Sequence, residues 1–261
     1  MKYLVTAAQA KQADRETIER GTPSLSLMEN AGKKMFAKLK SRIGKDARIL
    51  ILVGTGGNGG DGLVIGRYLI KAGYDVTCWL LSSVLSGDCQ TNYERYQGRI
   101  TSELKDEYDV IIDALFGVGL SRTLPQNAID AIDKVNSFKG LKVSVDVPSG
   151  IDATTGEEWG TCFKADILYS VQYLKTGFIR NKGLDSYGEC SLIDIAIEAN
   201  DEEGFIPVTD IRSTRQGRHS GVHTVESVFY QGLLLESNEW FSFKKIVGRP
   251  YLFTRPDKVT L

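Results

Sequence analysis

Six residues, Arg48-Ile49-Leu50-Ile51-Leu52-Val53, run directly into Gly54-Thr55-Gly56-Gly57-Asn58-Gly59. A strand that is apolar at every interior position must be covered on both faces. A glycine turn at its end hands the chain to a helix. The pattern repeats, with further strands at 74–81, 108–115, 141–146, 165–171 and 189–195. Helices read at 62–72, 92–104 and 126–137 between them. Two more helices precede this alternation, one from a Thr6 cap to Arg20 and one over 25–39, separated by Gly21-Thr22-Pro23-Ser24. Strand–helix alternation with buried strands specifies an α/β fold: a Rossmann-like three-layer α/β/α arrangement with a mostly parallel central sheet.

Ligands of such sheets bind beyond the carboxyl ends of the strands, and that is where the unusual residues fall. The glycine turn matches GxGxxG in its required context between strand and helix. A nicotinamide dehydrogenase of ordinary type also needs an acid at the end of the second strand to hold ribose hydroxyls. Here that strand ends in Trp79-Leu80-Leu81-Ser82, which disfavours hydride transfer. Asp61, inside the turn itself, is unexpected beside a phosphate, because a carboxylate there would repel it. Asp113 and Asp146 each stand where a strand gives way to a loop, so both should point into the same crevice as Asn58 and Asp61. A set of oxygen donors of this kind suits a hard cation, although strand-end aspartates also cap turns.

The chain carries 32 basic and 33 acidic residues, net charge -1, so it lacks the basic footprint of a nucleic-acid binder. No apolar run is long enough to span a membrane. The four cysteines form no CxxC pair, and free, reduced thiols fit a cytoplasmic setting. The texture changes after about residue 210, and 213–261 reads first as basic, then as aromatic, without alternation. His219 and His223 in that tail have metal-ligand spacing, but Gly221 between them opposes the helix such a site needs.

Four strings taken together resemble the YjeF N-terminal domain family: Met28-Glu29-Asn30-Ala31-Gly32, Gly56-Gly57-Asn58-Gly59-Gly60-Asp61-Gly62, Asp113-Ala114-Leu115-Phe116-Gly117 and Asp146-Val147-Pro148-Ser149-Gly150. The resemblance implies an isomerase that interconverts the R and S forms of hydrated NADH and NADPH, repairing nicotinamide cofactors. It further implies one potassium ion per subunit, held by Asn58, Asp113 and Ser149. The dinucleotide would be bound by Gly57, Asn58, Gly59, Gly60 and Asp61, and by a second loop of Gly117, Val118, Gly119, Leu120, Ser121, Arg122 and Thr123. Asp146 would lie nearest the damaged ring, as general acid and then base. Lys175 belongs to a further matching element without an assigned role.

The same resemblance implies a homodimer and a functional link to an ADP- or ATP-dependent dehydratase. It divides the chain into an epimerase domain at 1–212 and an atypical tail at 213–261, possible remnant of a lost dehydratase domain. An inactive nucleotide-binding or scaffold module of the same fold is the alternative. Retention of Asn58, Asp61, Asp113, Asp146 and Ser149 favours the enzyme.

Overall fold

A computed structural model describes residues 2–197, 205–208, 211–215 and 223–228. Strand β1 (Lys2–Val5) leads into helices α1 (Ala7–Glu19) and α2 (Ser24–Lys40). Thr6 caps α1 as expected: its side chain accepts from the Gln9 amide at 3.2 Å, and the Gln9 carbonyl oxygen accepts from the Thr6 amide at 2.8 Å. This reciprocal capping box satisfies two amides that a helix start leaves free.

The alternation then follows as β2 (Arg48–Val53), α3 (Gly57–Lys71), β3 (Asp75–Leu80), α4 (Gly87–Glu94), β4 (Arg99–Thr101), β5 (Val110–Ala114), α5 (Gln126–Asn136), β6 (Leu141–Val145), β7 (Ala165–Val171), β8 (Leu174–Lys175) and β9 (Tyr187–Ile193). Seven strands form the central sheet in the order β4-β3-β2-β5-β6-β7-β9, with every pairing parallel. Period-two alternation sends Ile49, Ile51 and Val53 into one apolar cluster, with Met35 of α2 and Leu63 of α3. Leu50 and Leu52 enter the other, with Ile132 and Val135 of α5. The three layers expected from the strands are therefore present.

Two readings are corrected. The helix after the glycine turn starts at Gly57, five residues before the expected 62, so the turn is the first turn of α3. The helix expected at 92–104 is instead the short α4 followed by β4, which pairs Thr77 with Arg99, Cys78 with Ile100 and Trp79 with Thr101. Pairing with the open edge of β3 outweighs the weak helical preference of a stretch interrupted by Gly98 and the β-branched Ile100-Thr101.

A small sheet lay beyond sequence reading. In it β1 pairs in parallel with β8 and antiparallel with β10 (Ile206–Val208). Tyr3 and Tyr173 both pack edge-on against Phe205, at 5.8 and 5.3 Å between ring centroids. A final hairpin of β11 (Ile211–Arg215) and β12 (His223–Val228) straddles the domain boundary expected at 212/213. His223 begins β12, whereas His219 lies outside the described residues. Among the described residues, no helix is long and apolar enough to cross a membrane. All four cysteines are free thiols.

Candidate functional site

After β2 the chain steps outward to β3 and β4, then returns to the other side of β2 as β5. The loops leaving β2 and β5 at their carboxyl ends diverge, and such a reversal opens a crevice. A cavity of about 400 Å³ occupies it. The start of α3, the loop after β5, the end of β6, α1 and β8 all contribute to its wall.

The turn at α3 divides its glycines between two jobs. A Cβ on Gly59 would lie 2.0 Å from the Gly54 carbonyl oxygen, and one on Gly60 would strike the Met28 thioether at 2.5 Å. These two glycines serve packing, and neither lines the cavity. Gly56 and Gly57 have nothing within 4 Å of the corresponding position and do line it. The start of α3 is therefore open to a ligand, and a helix N-terminus is a place that receives an anion.

Asp146 lies at the end of β6 with φ +65°, a left-handed conformation that costs on the order of 1–3 kcal/mol outside glycine. Its carboxylate is pinned. Oδ1 accepts from Lys175 Nζ at 2.5 Å and from the Val171 amide at 3.3 Å, and Oδ2 accepts from the Val118 amide at 3.4 Å. Lys175 is 1% exposed, and its ammonium also donates to Ser170 Oγ, Val171 O and Tyr173 O at 2.9–3.1 Å. An ammonium satisfied on all sides holds the carboxylate in place.

Asp113 is 0% exposed and accepts four hydrogen bonds: from the Ser149 amide at 2.8 Å, Ser149 Oγ at 2.5 Å, Ser144 Oγ at 3.1 Å and the Leu115 amide at 3.2 Å. Burial pushes its carboxyl up to about 6, with the Ser149 bonds acting against that shift. No cationic side chain pairs with it among the described residues. Ser149 Oγ in turn accepts from the Phe116 amide at 2.9 Å, tying the loop after β5 to the turn after β6. The next residue, Gly117, brings that loop against Asn58: a Cβ on Gly117 would meet Asp146 Oδ2 at 2.9 Å and Asn58 Oδ1 at 3.3 Å.

Asn58 carries the unsatisfied chemistry. Its Oδ1 and Nδ2 are buried, and neither has a hydrogen-bond partner. A buried amide left unpaired at both ends costs about 1–3 kcal/mol per group, so a bound species is the natural partner. Its carbonyl oxygen, with the Asp113 carboxylate and the Ser149 hydroxyl, makes an oxygen-only donor set of the kind suited to an alkali cation, although Asp113 and Ser149 lie behind the cavity wall rather than on it. The residues present therefore fit potassium. Among the described residues no group of three or more His, Cys, Asp or Glu side chains offers a transition-metal site.

Of the other expected residues, Asp61, Val118, Gly119 and Leu120 line the cavity, whereas Ser121, Arg122 and Thr123 lie exposed outside its wall. Sequence reading missed Lys11 and Asp14 of α1, and Gln172 and Tyr173 before β8, all of which face the cavity. Gln172 shares with Asp146 a positive φ, here +54°. Its side chain clasps the chain after β9, accepting from the Ile195 amide at 2.8 Å. The carboxyls outnumber the paired ammonium. Desolvation at the cavity mouth and the nearby Asp146 push Asp14 up to about 6, against the pull of Lys175. Burial, with Asp146 and Asp14 adding to it, raises Asp61 well above the usual carboxylate range.

The family described as YjeF-related protein N-terminus matches residues 24–177. The NAD(P)H-hydrate epimerase of Lentilactobacillus buchneri is 34% identical over 209 residues, covering 76% of this chain and 96% of that protein. The NAD(P)H-hydrate epimerase of Limosilactobacillus fermentum is 37% identical over 202 residues, covering 74% and 97%. The bifunctional NAD(P)H-hydrate repair enzyme Nnr of Moorella thermoacetica is 35% identical over 215 residues, covering 75% of this chain and 41% of that enzyme. A crystal structure of the yeast protein ynu0, YNL200c, superposes with a TM-score of 0.62 at 22% identity, covering 71% of this chain and 86% of that one. The last likeness speaks for the fold alone.

Proposed function

The chain belongs to the YjeF-related N-terminal family, and from that premise we propose that it is an NAD(P)H-hydrate epimerase, interconverting the R and S hydrates of NADH and NADPH in cofactor repair. The observation that carries this reading is Asp146, held in a strained conformation on the cavity wall by a buried lysine. Backbone strain of that kind persists where the surroundings over-determine it, and here they deliver a fixed carboxylate to the substrate space.

The reaction asks for little. The ring nitrogen of the hydrate expels the hydroxyl on its neighbouring carbon, which leaves a cationic ring. Water then adds back from either face and loses a proton. Asp146 protonates the departing hydroxyl as general acid and then takes the proton of the incoming water as base, while Lys175 orients it. The open start of α3 at Gly56 and Gly57 receives the pyrophosphate, and the loop of Gly117 to Leu120 closes over the dinucleotide. Potassium, held by Asn58, Asp113 and Ser149, would supply positive charge beside the acidic wall and complete the Asn58 carbonyl. The substrate is a dinucleotide and not a cofactor.

The epimerase unit is assigned to 1–212, with 213–261 as a separate tail. A homodimer through the N-terminal helices is part of the same proposal, with Ile18 of α1 exposed on that face, and sedimentation would test it. A functional link to an ADP- or ATP-dependent dehydratase belongs to the same proposal, supported by relatives named bifunctional NAD(P)H-hydrate repair enzyme.

The test mixes the full chain with the R hydrate of NADH and follows the S hydrate by chromatography, in potassium and in sodium. Rapid equilibration in potassium is expected. Asp146→Asn should slow it roughly 10²–10⁴-fold at a temperature where circular dichroism shows the variant folded, since the substitution also strands the buried Lys175 ammonium. Full activity in that variant would remove Asp146 from the chemistry.

A further inference from the structure

Inversion at one carbon requires proton exchange on both faces of a ring. Asp146 is poorly suited to serve both. Its two oxygens are held by Lys175, the Val171 amide at the end of β7 and the Val118 amide of the loop after β5, its backbone is locked at φ +65°, and it is 8% exposed. A carboxylate so fixed reaches one side of a bound ring. A second group must serve the other, from a different wall of the same cavity.

Asp61 reaches the same cavity from another element. It comes from the first turns of α3, whereas Asp146 comes from the sheet, and its side chain lines the cavity half-buried. It takes part in no hydrogen bond or ion pair among the described residues. We propose that Asp61 is the second proton-transfer residue of the site, donating a proton to the hydroxyl that departs from the ring face opposite Asp146 and recovering it from water in the reverse direction. The inference deepens the epimerase reading and rests on it.

The step balances without an external reductant or oxidant. The C–O bond breaks with its electron pair going to oxygen, the Asp61 proton converts that oxygen to water, and the ring nitrogen supplies the compensating pair. Water then adds to the other face, a C–O bond forms, and Asp146 accepts the proton. Proton return between the two carboxyls passes through solvent in the open cavity mouth.

The surroundings supply the proton that this role needs. Asp61 is faced by Asp14 and Lys11 from α1, Cys89 from α4, Asp146 from the end of β6 and Lys175 from β8. Burial and the two aspartates favour its neutral form, and only Lys175 is resolved as opposing them. A neutral Asp61 also removes the difficulty that its sequence position raised, since an uncharged carboxyl does not repel a neighbouring phosphate. Asp14 is the other unpartnered carboxyl of the cavity, but it lies at the rim with more of its surface in solvent.

The experiment places single hydrate epimers with the full-length protein in heavy-oxygen water. It follows inversion by chromatography and label uptake by mass spectrometry, for the wild type, Asp61→Asn and Asp14→Asn. The wild type should invert and take up label together. Asp61→Asn should lose inversion roughly 10²–10⁴-fold while one epimer still exchanges its hydroxyl with retention, served by Asp146 alone. Asp14→Asn, at the rim of the same cavity, should change inversion and exchange in step, and a separation of the two like that of Asp61→Asn would overturn the assignment to Asp61.

Inversion at the wild-type rate in Asp61→Asn would overturn the proposal, as would loss of both processes with dinucleotide binding intact. If Asp61→Asn fails to fold, isotope-edited infrared spectroscopy of the wild type decides. A protonated aspartic acid band persisting at neutral pH supports the role, and its absence overturns it. A wild type that binds the hydrate but neither inverts nor exchanges it sinks the epimerase reading itself, an outcome distinct from a failure of Asp61.

Discussion

Lys175 shows how much of the site a single residue can organise. It is 1% exposed, and its ammonium is enclosed by Asp146 and three neutral oxygens. Lys175→Met keeps the length of the side chain and leaves Asp146 as a buried charge without its counterion. Breaking such a pair from one side costs about 3–5 kcal/mol. Denaturant titration should show that loss, and the double variant with Asp146→Asn should recover part of it, because the stranded charge is gone. A double variant no more stable than Lys175→Met would mean that the lysine packs rather than pairs. The sequence places Lys175 in a recognisable string but not beside Asp146. The two are 29 positions apart and meet only because β8 turns back beneath the end of β6. Asp113 stood out for the opposite reason, since strand ends in a parallel sheet face one crevice, whereas Ser149 was singled out only by the family resemblance.

At the scale of elements, the long buried strands were legible because an unbroken apolar run has few other solutions. The first turn of α3 was not, because glycines at 57, 59 and 60 argue against helix by propensity alone. The structure overrides that preference through close contacts only glycine permits, such as Gly59 against the Gly54 carbonyl oxygen. The small sheet of β1, β8 and β10 was invisible as well, since strands of two to four residues carry too little pattern. The start of α3 also yields a prediction of unusual sign. Asn58 contributes two buried polar atoms with no partner, so Asn58→Ala removes an unmet cost. In potassium-free buffer the variant should melt no lower than the wild type, while the rate enhancement by potassium disappears. A variant that keeps its full potassium response would take Asn58 out of the ion site.

At the scale of the molecule, the acidic wall links stability to pH. Asp14, with a folded value of about 6 against 3.8, binds a proton more readily in the fold than in the open chain, and Asp61 shifts in the same direction. Their contribution is complete below the unfolded pKa and is lost as pH rises toward the folded values. The exposed pair Arg42–Glu189 acts the other way, holding its carboxyl low, but such a surface pair contributes little, and the half-buried Arg67–Glu29 pair likewise lowers Glu29. Asp61→Asn should therefore melt above the wild type at neutral pH, with the gap closing toward about pH 4. A wild type more stable than the variant at neutral pH would mean that a charged Asp61 has a favourable partner.

The connection between the chain's two ends gives the last test. Strand β10 lies between the family match, which stops at residue 177, and the tail assigned to 213–261, yet it pairs with β1 at Lys2, Tyr3 and Leu4. Strand β1 leads straight into α1, which carries Lys11 and Asp14 to the cavity, and Phe205 packs between Tyr3 and Tyr173 beside it. Removing 213–261 leaves β10 in place and should leave epimerase activity intact. Removing 198–261 strips β10 and Phe205 as well, so β1 keeps only its two-residue pairing with β8. The longer deletion should raise KM more than it lowers kcat, because α1 forms the cavity mouth while Asp146 stays seated at the end of β6 in the central sheet. Hydrogen exchange would report the cause directly, through loss of amide protection in β1 and α1 with β2 and β5 unchanged. Equal activity in the two deletions would detach β10 from the site and make the N-terminal segment self-supporting.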